Sequence, residues 1–353
     1  MRASVIEQLG TPPVVAEVPD PVCPADGAIL RVEANGICRT DWALWSGQFW
    51  CGGPVLAAPF VLGHEFAGTI VEVGADVRNW KPGARVTFPM NPGDGACQTC
   101  RTGNQQVCEH FDELVPGVSY WGGYAEYVAV RFADVNLVEL PETLSATAAA
   151  SLGCRYMAAF HGIVEQARTR GGEWVAVHGA GGGMGLAVVQ IAAAVGANVI
   201  AVDIFDDKLE TARGLGAVHT VNAAKDDAAG AVRELTSGGA HVSVDAVGIA
   251  SSCRASVESL RIRGRHVQLG HTTPAERGSI ALPIDVMMVK ELEFLSAFGM
   301  AAHRFPAMLS MVEAGRLDPG KVVSSTVGLD GVGGVLESMA AYGTTGVVVI
   351  DRF

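Results

Sequence analysis

From Gly171 onward the chain alternates buried-strand and helix patterns, and this alternation limits the possible folds more than any other feature. Trp174-Val-Ala-Val-His178 is a short apolar run with the look of a buried strand; glycine-rich residues 179–185 follow it. Leu186 to Val195 is then apolar all round, as an interior helix is. The plan repeats, with Asn198–Asp203 as strand and Asp206 to Leu215 as helix, closed by Gly216. Val242–Val247 and His266–Leu269 are further strand candidates. Such alternation predicts a parallel, doubly wound sheet, because parallel neighbours can be joined only through a crossover.

The first 150 residues differ in texture. Short alternating runs such as Gly68–Gly74 and Tyr124–Val130, rich in Gly, Pro and Val around them, predict an irregular antiparallel β assembly. Mixed texture returns beyond Gly299 and ends in the strand-like Gly346–Asp351. A length of 353 residues accommodates two domains. The expected organisation is a β-rich domain from residues 1–155 and 300–353, with a nucleotide-type α/β domain, 156–299, inserted between them.

Gly179-Ala-Gly-Gly-Gly-Met-Gly185 sits where a strand passes into a helix. Glycines there let the backbone approach a pyrophosphate and aim the first helical N–H groups at it. Glycine also serves in ordinary strand-to-helix turns, so the run alone is weak. Asp203, at the end of the next strand, strengthens it: a carboxylate there accepts both ribose hydroxyls of NAD and repels the 2′-phosphate of NADP. The expected cofactor contacts are Gly179, Gly181, Gly182, Gly183, Met184, Gly185 and Asp203.

Asp94, Cys97, Cys100 and Cys108 fall within one polar, glycine-containing loop at the spacing of metal ligands. Surface disulfides or free thiols are the alternative reading, but cysteines this close suit a metal knot better than paired bridges. Cys38, His64 and Cys154 are the other soft-ligand candidates, each glycine-flanked or nearly so. Singly they are ambiguous, since a lone Cys is often a small buried hydrophobe and a lone His a satisfied core residue. A formal net charge of -12 and no Lys/Arg-rich run argue against nucleic acid or an anionic membrane surface as partner. The N-terminal segment lacks a signal-peptide pattern, and the most apolar stretch, 185–202, is interrupted by Gln190, Gly196 and Asn198; a cytoplasmic protein is expected.

Cys38-Arg-Thr-Asp41, Gly63-His-Glu-Phe-Ala-Gly-Thr-Ile-Val-Glu-Val-Gly74, the Asp94–Cys108 loop, Gly122-Gly-Tyr-Ala-Glu-Tyr-Val128, Cys154 and the Gly179–Asp203 unit occur in the order seen in zinc-containing medium-chain alcohol dehydrogenases. Over nearly its whole length the chain resembles that family. The resemblance implies a GroES-like β-rich catalytic domain, a Rossmann cofactor domain and an active site in the cleft between them. It implies two zinc ions per chain, one catalytic at Cys38, His64 and Cys154, the other structural at Asp94, Cys97, Cys100 and Cys108. It further implies Glu65 as a neighbouring or transient ligand, Asp41 orienting His64, and Thr40 taking the alcohol proton. By the same resemblance Arg39 and Lys208 contact pyrophosphate and adenosine ribose, Val247 and Gly270 line the nicotinamide side, and the protein forms a homodimer or homotetramer through Leu292–Met300.

The family likeness has three departures. Asp94 stands for a usual cysteine, Ala43 for a histidine that passes the proton to solvent in many relatives, and Val347 for a phosphate-contacting arginine. Trp42, Trp45, Phe49 and Trp50 are either core or the lining of a pocket for an apolar or aromatic substrate. The implied activity is hydride transfer between NAD and a medium-sized alcohol or carbonyl compound. Reduction of a conjugated carbonyl or imine is the alternative that Ala43 raises, and a non-catalytic metal- and nucleotide-binding homologue is another. Thr40 also reads as a turn residue capping a helix that starts near Asp41. Cys23, Cys253, His161 and His178 read as structural, and Cys51 has no expected role.

Overall fold

A computed structural model describes residues 1–48, 57–341 and 343–353. Phe49, Trp50 and Cys51 therefore lie outside the described residues. Two compact units emerge, Met1–Met157 with Gly299–Phe353, and Ala158–Phe298.

In the second unit six parallel strands line up in the order Ala217–Asn222, Asn198–Asp203, Trp174–His178, Ala240–Asp245, Leu260–Gln268 and Glu293–Ser296. The first strand in sequence lies in the middle and the chain winds outward on either side of it. This is the α/β doubly wound arrangement, whose ligand crevice lies at the carboxyl ends where the winding reverses. Val175, Val177, Val199, Ala201, Val242 and Val244 are fully buried, as strands covered on both faces require.

Local bounds differ from the sequence pattern for identifiable reasons. The strand expected at 242–247 runs over Ala240–Asp245, because the Asp245 carboxylate accepts from the amides of Val247 and Gly248 and turns the chain out of the sheet. Leu260–Gln268 begins well before His266; its first half, Arg-Ile-Arg-Gly-Arg, hides the strand, with Arg263 at φ +57° and a shift in register before Arg265. The helix after the glycine turn covers Gly183–Ala194, starting on the glycines themselves with Gly182 as its N-cap.

The first unit is β-rich. Its larger sheet orders Val323–Gly328, Val347–Arg352, Ala28–Ile37, Glu65–Val73, Arg85–Thr87 and Val138–Glu139, with Tyr127–Val130 also paired to Ala28–Ile37. All these pairings are antiparallel except the first, which joins the two C-terminal strands in parallel. A small sheet joins Arg2–Ile6 to Val14–Glu17 and Phe60–Val61. Leu30, Val32, Phe66, Ile70, Val86, Phe88 and Val128 form the core of the larger sheet, on alternating positions of its strands. Among the described residues no helix is long and apolar enough to cross a membrane.

His178, read as structural, is buried at the carboxyl end of the central strand, where its Nε2 has no hydrogen-bond partner. Burial, with repulsion from His266, holds its pKa down to about 3. The folded state therefore keeps this ring neutral at pH values where the unfolded chain, at about 6.5, takes up a proton. Its contribution is fully present above pH 6.5 and is lost as the pH falls from there toward 3. Each pH unit in that window costs about 1.4 kcal/mol. Denaturant unfolding at pH 6 and pH 4 should show a dependence shallower by about one proton in His178→Phe; an unchanged slope would place the acid sensitivity elsewhere.

Candidate functional site

Cys38, His64, Glu65 and Cys154 come from three separate segments, and their ligand-type atoms all lie within 4.8 Å of one another, buried. Pairing of Ala28–Ile37 with Glu65–Val73 sets Gly36 opposite Glu65 and so brings the residues just beyond each strand end together. Cys154 arrives on a widened, π-helical turn, Leu152–Tyr156, docked by a 2.7 Å hydrogen bond from the Met90 amide to the Gly153 carbonyl.

The two sulfurs, Cys38 Sγ and Cys154 Sγ, are 3.9 Å apart. A disulfide needs about 2.05 Å. Two thiolates on one tetrahedral zinc, each at about 2.3 Å, stand about 3.8 Å apart. His64 is wholly buried and neither ring nitrogen makes a well-formed hydrogen bond; Nδ1 lies 3.2 Å from Asp41 Oδ1, an ion-pair contact, and Nε2 faces no such group. Asp41 is itself fixed, its Oδ2 accepting from the Cys38 amide at 2.8 Å and from the Tyr124 hydroxyl at 2.8 Å. A hydrogen bond from Cys154 holds the Cys38 thiol well below its ordinary pKa despite burial, and the same contact, with burial, pushes Cys154 up. Burial opposes charge on His64, but Asp41 and Cys38 outweigh it and raise its pKa. Burial lifts Glu65 to about 7 against the pull of Arg155, whose guanidinium donates to Glu65 Oε2; Oε1 is buried without a partner. This collection of acceptors around a buried imidazole whose Nε2 has no partner fits a cation.

Thr40 is half-buried in the first turn of helix Arg39–Trp45. That helix starts earlier than the sequence suggested and is capped by Asp41 reaching back to the Cys38 amide, so Thr40 is not its cap. The Arg39 guanidinium lies 3.7 Å over the Trp42 ring and donates to the Met339 carbonyl. Trp42 and Trp45 are both buried, Trp45 donating to the Thr11 carbonyl. Tyr124 and Arg155 escaped the sequence reading as site residues. Arg155 had a signal, its place beside Cys154; for Tyr124 there was only its glycine-rich setting.

Asp94, Cys97, Cys100 and Cys108 form a second group within 4.8 Å. Cys97 Sγ and Cys108 Sγ are 3.8 Å apart, too far for a disulfide and equal to the edge that two thiolates on one tetrahedral zinc would span. Amides of Cys100 and His110 point at Cys97 Sγ and Cys108 Sγ, both at 3.4 Å. The Glu109 and Cys100 amides lower the Cys97 pKa, whereas burial raises that of Cys108 against its amide donors. Burial opposes ionisation of Asp94, but the Cys97 and Ala96 amides and the His110 ring hold its carboxyl well below the usual range. Cys100 and Cys108 pack with Leu114, Phe111 and Phe132, a small apolar cluster beside the loop.

In the parallel sheet, Gly179–Gly185, Asp203, Val247 and Gly270 all follow or end strands at the carboxyl edge. Gly179 has φ +79°, and a Cβ there would come within 2.3 Å of Val247 Cγ2; a Cβ on Gly185 would meet the Gly179 carbonyl at 2.1 Å. A Cβ on Gly182 would meet nothing closer than 3.8 Å, so the turn presents open backbone at the start of a twelve-residue helix. Asp203 accepts from the Gly181 amide at 2.9 Å, holding its carboxylate beside the turn, and the Lys208 ammonium lies 4.8 Å over the Phe205 ring. This cradle fits a dinucleotide.

A β-rich unit with two cysteine-based donor groups, joined to a doubly wound sheet with a glycine turn, defines a two-domain dehydrogenase. Residues 24–142 match the alcohol dehydrogenase GroES-like domain, and residues 183–314 match the zinc-binding dehydrogenase family. An alcohol dehydrogenase of Geobacillus stearothermophilus is 33% identical over 99% of both chains. An NAD-dependent alcohol dehydrogenase of Sulfurisphaera tokodaii is 30% identical, also over 99% of both. Among solved structures, the alcohol dehydrogenase TADH of Thermus sp. ATN1 superposes with a TM-score of 0.87 at 31% identity, covering 100% of each chain. The chain belongs to the zinc-containing medium-chain dehydrogenase/reductase family.

Proposed function

We propose that the chain is an NAD- and zinc-dependent alcohol dehydrogenase or aldehyde reductase for a medium-sized apolar or aromatic alcohol or carbonyl compound. The sulfur separation at Cys38 and Cys154 beside the orphaned His64 Nε2 carries this reading. Cys38, His64 and Cys154 would hold the catalytic ion, and Asp94, Cys97, Cys100 and Cys108 the structural one. When bound, zinc supplies a Lewis acid for the substrate oxygen and NAD a hydride acceptor.

The chain's own residues do the rest. Asp41, pinned by Tyr124, fixes the ring plane and tautomer of His64. Arg155 balances the buried Glu65 charge. Thr40 accepts the alcohol proton, and with Ala43 in place of a relay histidine that proton leaves through water. Trp42, buried beside Cys38, supports an apolar pocket. Assembly as a homodimer or homotetramer through 292–300 belongs to the same reading, supported by the edge position of Glu293–Ser296 in its sheet.

Saturated alcohols assayed against conjugated enals, on protein purified without chelator, test the proposal. Alcohol turnover with two zinc per chain supports it; enal reduction without alcohol turnover overturns it in favour of 1,4-reduction. Cofactor choice has its own test. Asp203→Asn keeps an acceptor for the Gly181 amide but removes the charge, and the NAD-over-NADP ratio of kcat/KM should fall about 10- to 100-fold, the scale of a hydrogen bond to a charged group. An unchanged ratio would mean that another residue reads the ribose.

A further inference from the structure

We infer that His110 is a positioning residue of the Asp94 cluster: it aims the carboxylate that stands in for a thiolate and thereby sets how long the loop keeps its metal. The inference rests on the zinc reading of that loop. His110 touches two members of the donor set at once. Its ring Nδ1 lies 2.6 Å from Asp94 Oδ2, and its backbone amide donates to Cys108 Sγ at 3.4 Å.

Asp94 is held from the other side as well. Oδ1 accepts from the amides of Ala96 at 2.8 Å and Cys97 at 3.0 Å. A carboxylate offers about four acceptor positions, two on each oxygen. Two on Oδ1 and one on Oδ2 are taken by these three donors, and the Cys100 thiol hydrogen-bonds the same carboxylate, so His110 and the two amides leave Asp94 turned toward the cysteine ligands. A carboxylate left to rotate would compete poorly with the thiolate it replaces; three donors remove that freedom before the ion arrives. The His110 side chain is 59% exposed, so its removal opens no core cavity and an effect on metal retention is separable from a packing defect.

Zinc release from the full-length protein to a chromogenic chelator, followed with the melting temperature, tests this. His110→Ala should release the loop zinc about 10- to 100-fold faster, the usual cost of losing such a partner, while the second zinc leaves at the wild-type rate. His110→Asn, which restores an N–H near Nδ1, should recover much of the retention. In an Asp94→Cys background, His110→Ala should change nothing, because the carboxylate it aims is gone. Equal release from His110→Ala and wild type, or equal acceleration in the Asp94→Cys background, overturns the positioning role and leaves the zinc reading intact. Wild-type protein whose loop holds no zinc at all, shown by one ion per chain that Cys100→Ser does not reduce, overturns both.

Discussion

Cys154→Ser and His64→Ala should each lower alcohol oxidation by at least about 10³-fold while NADH still binds, because a Lewis acid supplies several kcal/mol of stabilisation to the charge that develops on oxygen. Serine nearly matches cysteine in volume, so the Leu152–Tyr156 turn and the Met90–Gly153 hydrogen bond that docks it should survive. Cys38 would then face one imidazole and a hydroxyl, a donor set too hard and too weak to hold the ion. The zinc content of Cys154→Ser should drop from two to one per chain. NADH fluorescence titration checks that the nucleotide unit is intact, and full turnover in either variant would reject the catalytic-metal assignment.

Cys100→Ser should act on stability more than on chemistry. Structural zinc contributes on the order of 10 kcal/mol to folding where a loop has no other core. Here Leu114, Phe111 and Phe132 supply some packing, so an expected loss of several kcal/mol corresponds to a Tm lower by about 10 °C or more. The chemical step on protein that remains folded should be nearly unchanged. Chelation of the wild type should reproduce the melting shift, whereas an unaltered Tm in Cys100→Ser would argue that the loop is held without metal.

The two sites differ in how much of them the sequence exposes. Asp94, Cys97, Cys100 and Cys108 lie within one loop, so the distances between them are limited by a few backbone torsions and the spacing alone points to a metal. The glycine turn and Asp203 are nearly as legible, since a βαβ unit has one hand and short connections, and the carboxylate is carried back to the turn it bonds. Cys38, His64 and Cys154 are different. The second shares the first one's neighbourhood only because Gly36 pairs with Glu65, and the third only because a helical turn docks on Met90. Family resemblance named those three; their spacing along the chain carried no such information.

Polar support was the least legible. Tyr124 reaches Asp41 across 83 positions of chain, and Arg155 reaches Glu65 across 90. His110 sits beside the cysteine loop, but nothing in its immediate sequence says that its ring bonds Asp94 and its amide bonds Cys108. Strand ends were blurred for a related reason: Asp245 stops its strand with side-chain bonds to amides further along, a polar event that hydrophobic periodicity does not register.

What the sequence by itself determined is the parallel α/β half, the β-rich half, the cysteine loop and the acid beside the glycine turn. Each is set by local period or by ligands close along the chain. Tertiary structure alone decided which distant thiols and imidazole meet, which carboxylates are pinned and by what, and which polar atoms are left buried and unpaired. Those depend on strand register and helix docking, where burial of apolar faces fixes the geometry and polar side chains far apart in sequence must find partners or stay unpaired.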